Sequence, residues 1–207
     1  MSNREREPRL IRGAAIAAVV AVAVIASAAS AATTEVKVAD DEFISPSVTT
    51  SVGSSVHWSR AAGSDDDHNV RQNAGIFTSG APTEGAIDLT VIFSAGTFNY
   101  MCEVHGSDMS GVVKVKPKLS AAPAGRNFTV QWATSTTDTG TKFDVQYRVG
   151  SSTTWKTWKS ATTAKSAVFG AGGKPVRPVA GKKYTFRVRS RAGTKLSGWS
   201  PAAAFTA

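Results

Sequence analysis

Cysteine and histidine are almost absent from this 207-residue chain: it has one of the first, Cys102, and three of the second, His57, His68 and His105. One cysteine excludes an intramolecular disulfide framework, and a lone thiol in an exported protein is either a liability or occupied, for example by a metal. Nor does the chain group Ser-His-Asp, Cys-His or paired carboxylates as a hydrolytic or acid-base site requires, and the consecutive Asp65, Asp66 and Asp67 cannot all face one substrate. The expectation is therefore a protein that is not an enzyme. Acidic residues are scarce in one half only. Residues 118–207 carry fifteen Lys and Arg against Asp138 and Asp144, a net +13, whereas residues 33–117 carry five against eleven, a net −6. The overall +9 thus conceals an acidic and a basic module with separate tasks.

The N-terminus has the form of a secretory signal. Arg9 and Arg12 precede an apolar run from Gly13 to Ile25, small residues continue it, and Ala29-Ser30-Ala31 suits cleavage. The run to Ala32 is also long enough for an uncleaved anchor, but alanine dominates it and Leu and Phe are missing, which favours cleavage. No cysteine directly follows the run, so a lipid-anchored terminus is not expected. Either way, residues 1–32 place the remainder of the chain outside the cytoplasm, secreted or at the cell surface.

Beyond residue 32 the patterning is that of strands, and the fold class is all-β. Val36 and Val38 alternate with Glu35 and Lys37; Phe43 to Pro46 reads as a turn; Val48, Val52, Val56 and Trp58 mark further short strands. Ile87, Leu89, Val91 and Phe93 alternate with Asp88 and Thr90, and Val113 and Val115 close a first β-sandwich over 33–116. Residues 117–125, with two prolines and small residues, read as a linker. A second sandwich over 118–207 is indicated by Phe128, Val130 and Trp132, then Phe143 to Val149, then Tyr184, Phe186 and Val188, with Trp155 and Trp158 on a shorter strand between.

The stretch Gly96 to Val115 carries the chemistry. It sets Cys102, His105 and Met109 within eight residues between two alternating apolar segments. A thiolate, an imidazole and a thioether suit a soft metal, above all copper, and Asp67-His68-Asn69-Val70 is the obvious source of a further ligand. Taken singly, Cys102 and Met109 are ordinary core residues, and His68 and His105 ordinary loop histidines. Their spacing makes the joint reading the better one. Zinc is the rival metal, but structural zinc sites rarely use a thioether, and Asp108 is the one nearby acid that could complete one. His57, between Val56 and Trp58, reads as a surface histidine.

These residues resemble a plastocyanin/amicyanin-type cupredoxin over 35–116. In that family the first ligand histidine is followed by Asn-Val or Thr-Val, as in His68-Asn69-Val70. The later motif runs Gly-Thr-aromatic-x-Tyr-x-Cys-x-x-His, as in Gly96-Thr97-Phe98-Asn99-Tyr100-Met101-Cys102-Glu103-Val104-His105, with a methionine before Gly111-Val112-Val113-Lys114-Val115. The resemblance implies a Greek-key sandwich holding one copper, cycling between Cu(II) and Cu(I), on His68, Cys102, His105 and Met109. It also implies electron exit at the edge of His105 within an apolar patch that includes Gly106 and Met109. The three residues between His105 and Met109 fall between the family's short and long loops. Copper oxidases add centres built from more histidines than this chain possesses, so the expected role is single-electron transfer. Copper sequestration at the cell surface without turnover is the alternative.

The second module resembles a fibronectin type III domain, on Trp132, Tyr184-Thr185-Phe186-Arg187-Val188 and Ser197-Gly198-Trp199-Ser200-Pro201, with Tyr184 where a tyrosine corner belongs. Such a domain says little about function. Lys183, Arg187, Arg189 and Arg191 share one parity and line one face of a strand, which suits either docking on an anionic cell wall, polysaccharide or membrane or the mere solubility of a spacer. The expected partner of the first module is a redox protein at the membrane or cell surface. Nucleic acid is not expected, since no recognition motif accompanies the charge.

Overall fold

The computed structural model describes residues 32–207, and the apolar run and its cleavage motif lie outside that range. The described chain is all-β. The first sandwich comprises β1 (Thr33–Ala39), β2 (Glu42–Ile44), β3 (Ser47–Ser51), β4 (Ser55–Arg60), β5 (Arg71–Gln72), β6 (Asp88–Ile92), β7 (Gly96–Cys102) and β8 (Gly106–Lys116). One sheet runs β2-β1-β4-β6 and the other β3-β8-β7-β5. β1 lies parallel to β4 and β3 parallel to β8, while the other pairings are antiparallel.

The period of two decides what each strand buries. Val36 and Val38 on β1, Val56 and Trp58 on β4, and Phe98 and Tyr100 on β7 turn inward. Trp58 sits at the centre, edge-on to Tyr100 with ring centroids 5.2 Å apart and also against Phe77 and Phe93. The turn expected over Phe43–Pro46 begins two residues later: Glu42–Ile44 is a strand paired with Lys37–Ala39. Phe43 is drawn into the core against Tyr100, and burying an aromatic ring outweighs the turn signal of the following Ser-Pro.

The second sandwich contains β9 (Lys118–Leu119), β10 (Phe128–Gln131), β11 (Lys142–Val149), β12 (Lys156–Thr162), β13 (Ser166–Phe169), β14 (Lys183–Ala192), β15 (Lys195–Leu196) and β16 (Ala203–Thr206). Its sheets are β13-β10-β9 and β12-β11-β14, the last strand also pairing with β15 and β16. Within the 117–125 segment, Lys118–Leu119 is already part of this sandwich, paired with β10. The core gathers Phe128, Trp132, Phe169, Tyr184 and Phe186. The Tyr184 hydroxyl accepts the Val179 N–H at 2.9 Å, five residues upstream, as a tyrosine corner does. Trp158 lies on β12, but Trp155 falls just ahead of it.

The two sandwiches belong to one compact body. Thr97 and Gly198 exchange both backbone hydrogen bonds, at 3.0 and 2.8 Å, and the Ala95 N–H donates to the Trp132 carbonyl. Ser94, Thr139 and Ser190 join their hydroxyls across the junction, all three fully buried. A hydrogen-bonded seam of this kind fixes the second sandwich against β7, the strand that ends in Cys102.

The basic parity of β14 is real, but its arginines are largely engaged. Arg189 and Arg191 both donate to Asp144, and Arg187 donates to Gln146 while lying over Trp155 and Trp199. Burial pushes the Asp144 carboxyl up, yet Arg191, the Ala161 N–H and Arg189 together hold it down at about 2.

Candidate metal centre

Cys102 is the last residue of β7 and shares the inward parity of Phe98 and Tyr100, so the strand itself delivers the thiol to the interior. Met109 on β8 shares the parity of Val113 and Val115 and is likewise fully buried. The ladder between these strands jumps there: Met101 pairs with Ser110, but Cys102 pairs with Gly106. Ser107, Asp108 and Met109 therefore form a bulge beside Cys102, and the turn Glu103–His105 swings the second imidazole over the same end of the sandwich.

His68 comes from the long connection between β4 and β5. Its backbone exchanges two 3.1 Å hydrogen bonds with Thr83. Arg60, at the end of β4, donates to the Asp66 carbonyl in that connection and to the Thr83 and Gly85 carbonyls in the one between β5 and β6, clamping the two together. Asn69 supplies the remaining constraint. Its amide nitrogen donates to Gly80 O and to the Glu103 carboxylate, and its carbonyl accepts the Glu103 N–H at 2.8 Å. The residue after the first histidine is thus tied to the residue after the cysteine. Asn69, first in effect, and Arg71 hold the Glu103 carboxyl below its usual range.

The result is a convergence of three donors. One ring nitrogen of His68, the Cys102 sulfur and one ring nitrogen of His105 all lie within 4.8 Å of one another. His68 Nδ1 is 3.8 Å from Cys102 Sγ, and the two imidazole centroids are 4.9 Å apart at 43°. The outer nitrogens are both turned away to carboxylates: His68 Nε2 is 3.3 Å from Asp40 and His105 Nε2 is 3.2 Å from Asp41. Asp40 and Asp41 form the turn between β1 and β2, and Asp41 holds a left-handed backbone at φ 60°. The Ser64 hydroxyl, more than any other group, keeps the Asp40 carboxyl below its ordinary value; the Asp66 N–H and His68 add to this.

His105 Nδ1 is buried with no hydrogen-bond partner. A buried ring nitrogen without a partner is costly unless something else satisfies it. With Nε2 at Asp41, the free lone pair of Nδ1 belongs to whatever the three donors surround, and carboxylate-oriented imidazoles are the usual setting of metal-bound histidines. Two imidazoles, a buried thiol and an adjacent buried thioether form a soft donor set that fits copper. Asp108 is exposed and outside this group, so it does not supply the carboxylate that a zinc site would require. A second, harder grouping of Asp40, Asp66 and His68 uses exposed carboxylates.

The sequence motifs therefore name His68, Cys102 and His105, which the fold brings together, and Met109, which it buries in the adjoining bulge. They do not reveal Arg60, Asp40 and Asp41, nor the partners of Asn69. Their one local signal is position, Asn69 next to His68 and Glu103 next to Cys102, while the aspartates are brought in from a turn 28 residues before His68. The apolar patch around His105 needs correction. Met109 is fully buried and cannot contribute to a surface, whereas Val104 is exposed beside His105, whose own side chain is 23% exposed. His57 lies on the outer face of β4 between Glu35 and Asp88, at 2.7 and 2.8 Å, remote in role from the donor set.

Fold and donors together define a β-sandwich with a candidate soft-donor cluster, His68, Cys102 and His105, at one end. No family model matches the chain, and no curated protein matches it. Among solved structures it is similar to a proline-to-phenylalanine mutant of amicyanin in its reduced state (27% identity, 40% of this chain and 81% of that one, TM-score 0.33). It is also similar to amicyanin from Paracoccus versutus (27%, 40% and 80%, 0.33) and to an oxidised proline-to-glycine amicyanin mutant (26%, 45% and 87%, 0.35). In each case more than half of the present chain lies outside the match.

Proposed function

We propose that this chain is an extracytoplasmic electron-transfer protein that would hold one copper ion on His68, Cys102 and His105, with the buried Met109 thioether as a further soft donor. The observation that carries the reading is the convergence of two imidazoles and the sole thiol, with His105 Nδ1 buried and unpaired. Bound copper supplies a one-electron couple between Cu(II) and Cu(I). The protein's own part is to keep the donor geometry fixed, so that little rearranges when charge changes. Rigid strands hold Cys102 and Met109, Asn69 and Arg60 hold the His68 connection, and the two aspartates orient the imidazoles. Burial of Cys102 and His68 keeps water from the thiolate, while the partly exposed His105, beside Val104, is the ligand through which a partner at the membrane or cell surface is reached.

The test is direct. Purified protein loaded with Cu(II) should show an intense visible band from thiolate-to-copper charge transfer, and Cys102→Ser should abolish it. A colourless protein at full copper occupancy refutes the reading. Voltammetry separates transfer from storage: rapid reversible exchange supports an electron carrier, whereas tight Cu(I) retention without turnover supports sequestration. The second, fibronectin-like sandwich serves in this reading to carry and orient the copper domain, since it is hydrogen-bonded to β7 rather than strung behind it.

A further inference from the structure

The arginines of the described chain divide into two groups. Arg60 and Arg71 are occupied by backbone carbonyls and Glu103, Arg148 and Arg187 lie over Trp155, and Arg189 and Arg191 hold Asp144. Among the described arginines, only Arg126 and Arg177 have neither a side-chain hydrogen bond, an ion pair nor an aromatic ring. Both line the same cleft, of about 470 Å3, where the loop 125–127 between β9 and β10 meets the loop between β13 and β14.

Nothing acidic lines this cleft. The only acids beyond residue 117 are spent elsewhere, Asp138 accepting the Ile92 N–H and Asp144 its two arginines. Two guanidinium groups thus face an open volume without a counter-charge. The wall opposite is built of glycine. Gly170, Gly172 and Gly173 all have positive φ, and a Cβ at Gly170 would collide with Asn127 and Pro178. Glycine here lets the two loops close on each other; the Gly170 and Gly173 N–H groups are given to the Lys174 and Gly170 carbonyls within the turn, so the charge that faces the cleft is that of the two arginines.

We infer that this cleft binds a phosphate ester, with Arg126 and Arg177 donating to its oxygens from separate loops. A planar carboxylate is satisfied edge-on by a single guanidinium fork, whereas a tetrahedral phosphate offers oxygens to donors arriving from different sides. The ester has two possible sources, a phosphodiester polymer of the envelope or a phospholipid headgroup, and glycerol phosphate is the chemistry they share. Neither copper nor its ligands enter this inference.

The full chain without metal, labelled with 15N, is titrated with glycerophosphoglycerol, a singly charged phosphodiester, and separately with galacturonate as the carboxylate control of equal charge. The expected result is a set of shifts at Gly170–Gly173 and at the Arg126 and Arg177 side chains, with phosphate ester preferred. The R126Q/R177Q variant should weaken binding at least about tenfold, the loss of one net charge-assisted contact or more. The K156Q/K165Q variant, which removes the same charge from exposed positions outside the cleft, should leave binding within about twofold of the parent. Vesicles containing phosphatidylglycerol supply the second arm. Co-sedimentation lost in R126Q/R177Q assigns a headgroup, and binding of the free ester without co-sedimentation assigns the phosphodiester polymer. Equal binding of galacturonate, equal weakening in the two double variants, or an absence of shifts with glycerophosphoglycerol overturns the inference.

Discussion

Replacing Thr139 by Val probes whether the second sandwich is an integral support of the first. Thr139 Oγ1 accepts the Ser94 N–H at 2.9 Å and meets Ser94 Oγ at 2.8 Å; Ser94 Oγ meets Ser190 Oγ at 2.5 Å, and Ser190 Oγ donates to the Ala95 carbonyl. Ser94, Thr139 and Ser190 are fully buried, so water cannot replace a missing partner. Valine keeps the shape of threonine, which removes the cavity contribution and isolates the polar one. The Ser94 hydroxyl retains Ser190, but the Ser94 N–H is left without an acceptor, at a cost of about 1–3 kcal/mol. For a cooperative unit of this size, each kcal/mol lowers Tm by about 2–4 °C, so a fall of about 4–8 °C is expected at the middle of that range. Calorimetry of the metal-free chain gives the shift, and hydrogen exchange shows where it acts. Protection should fall together in β7 and β14, because the network spans both sandwiches. Thr136→Val, at an exposed position of the same turn, should change stability by less than about 0.5 kcal/mol. A Tm unchanged by T139V, or a loss confined to the second sandwich, would refute the claim that the junction is a shared structural element.

Other perturbations test the site and its frame. Asp40→Asn combined with Asp41→Asn should weaken Cu(I) binding by about 10–100-fold in competition with a colorimetric chelator, because both imidazoles lose their outer carboxylate; unchanged affinity would deny those contacts a role. Gly111→Ala should cost about 1–3 kcal/mol in urea unfolding, since a Cβ there runs into the Tyr100 ring and the Pro46 carbonyl that accepts its hydroxyl; a stability equal to the parent would show the strand pair to be looser than described. The Glu35–His57–Asp88 cluster should give a stability maximum. Glu35 is held at about 2, chiefly by the Ser59 hydroxyl, so its contribution is present above its ordinary 4.5 and lost as pH falls through about 2. His57 is raised, by Asp88 first and Glu35 second, so its contribution is complete below 6.5 and lost as pH rises through its raised value. The cluster thus supports folding most between about 4.5 and 6.5, and His57→Gln should flatten the alkaline side by less than about 1 kcal/mol, as suits a partly exposed pair. A urea midpoint that still falls on the alkaline side in that variant would assign the dependence to another group.

What the sequence determined alone is whatever depends on short period and local spacing. Alternation placed Val36, Val38, Phe98, Tyr100 and Val113 in a core, and the same parity carried Cys102 and Met109 inward, because a strand leaves its side chains only two directions. The soft donor types were legible as composition, since a thiol, a thioether and an imidazole within eight residues have few joint uses. Tertiary structure decided what arrives from a distance. Asp40 and Asp41 reach the two imidazoles from the turn between β1 and β2, and Asn69 binds Gly80 and Glu103 across loops whose mutual approach no local pattern encodes. Charge shows the same division. The sequence counted a basic half, but only the fold showed that Arg187, Arg189 and Arg191 are stacked or paired while Arg126 and Arg177 face an open cleft. Charge is a property of the residue, whereas its neutralisation depends on which side chains the folded sheets bring within a few ångströms.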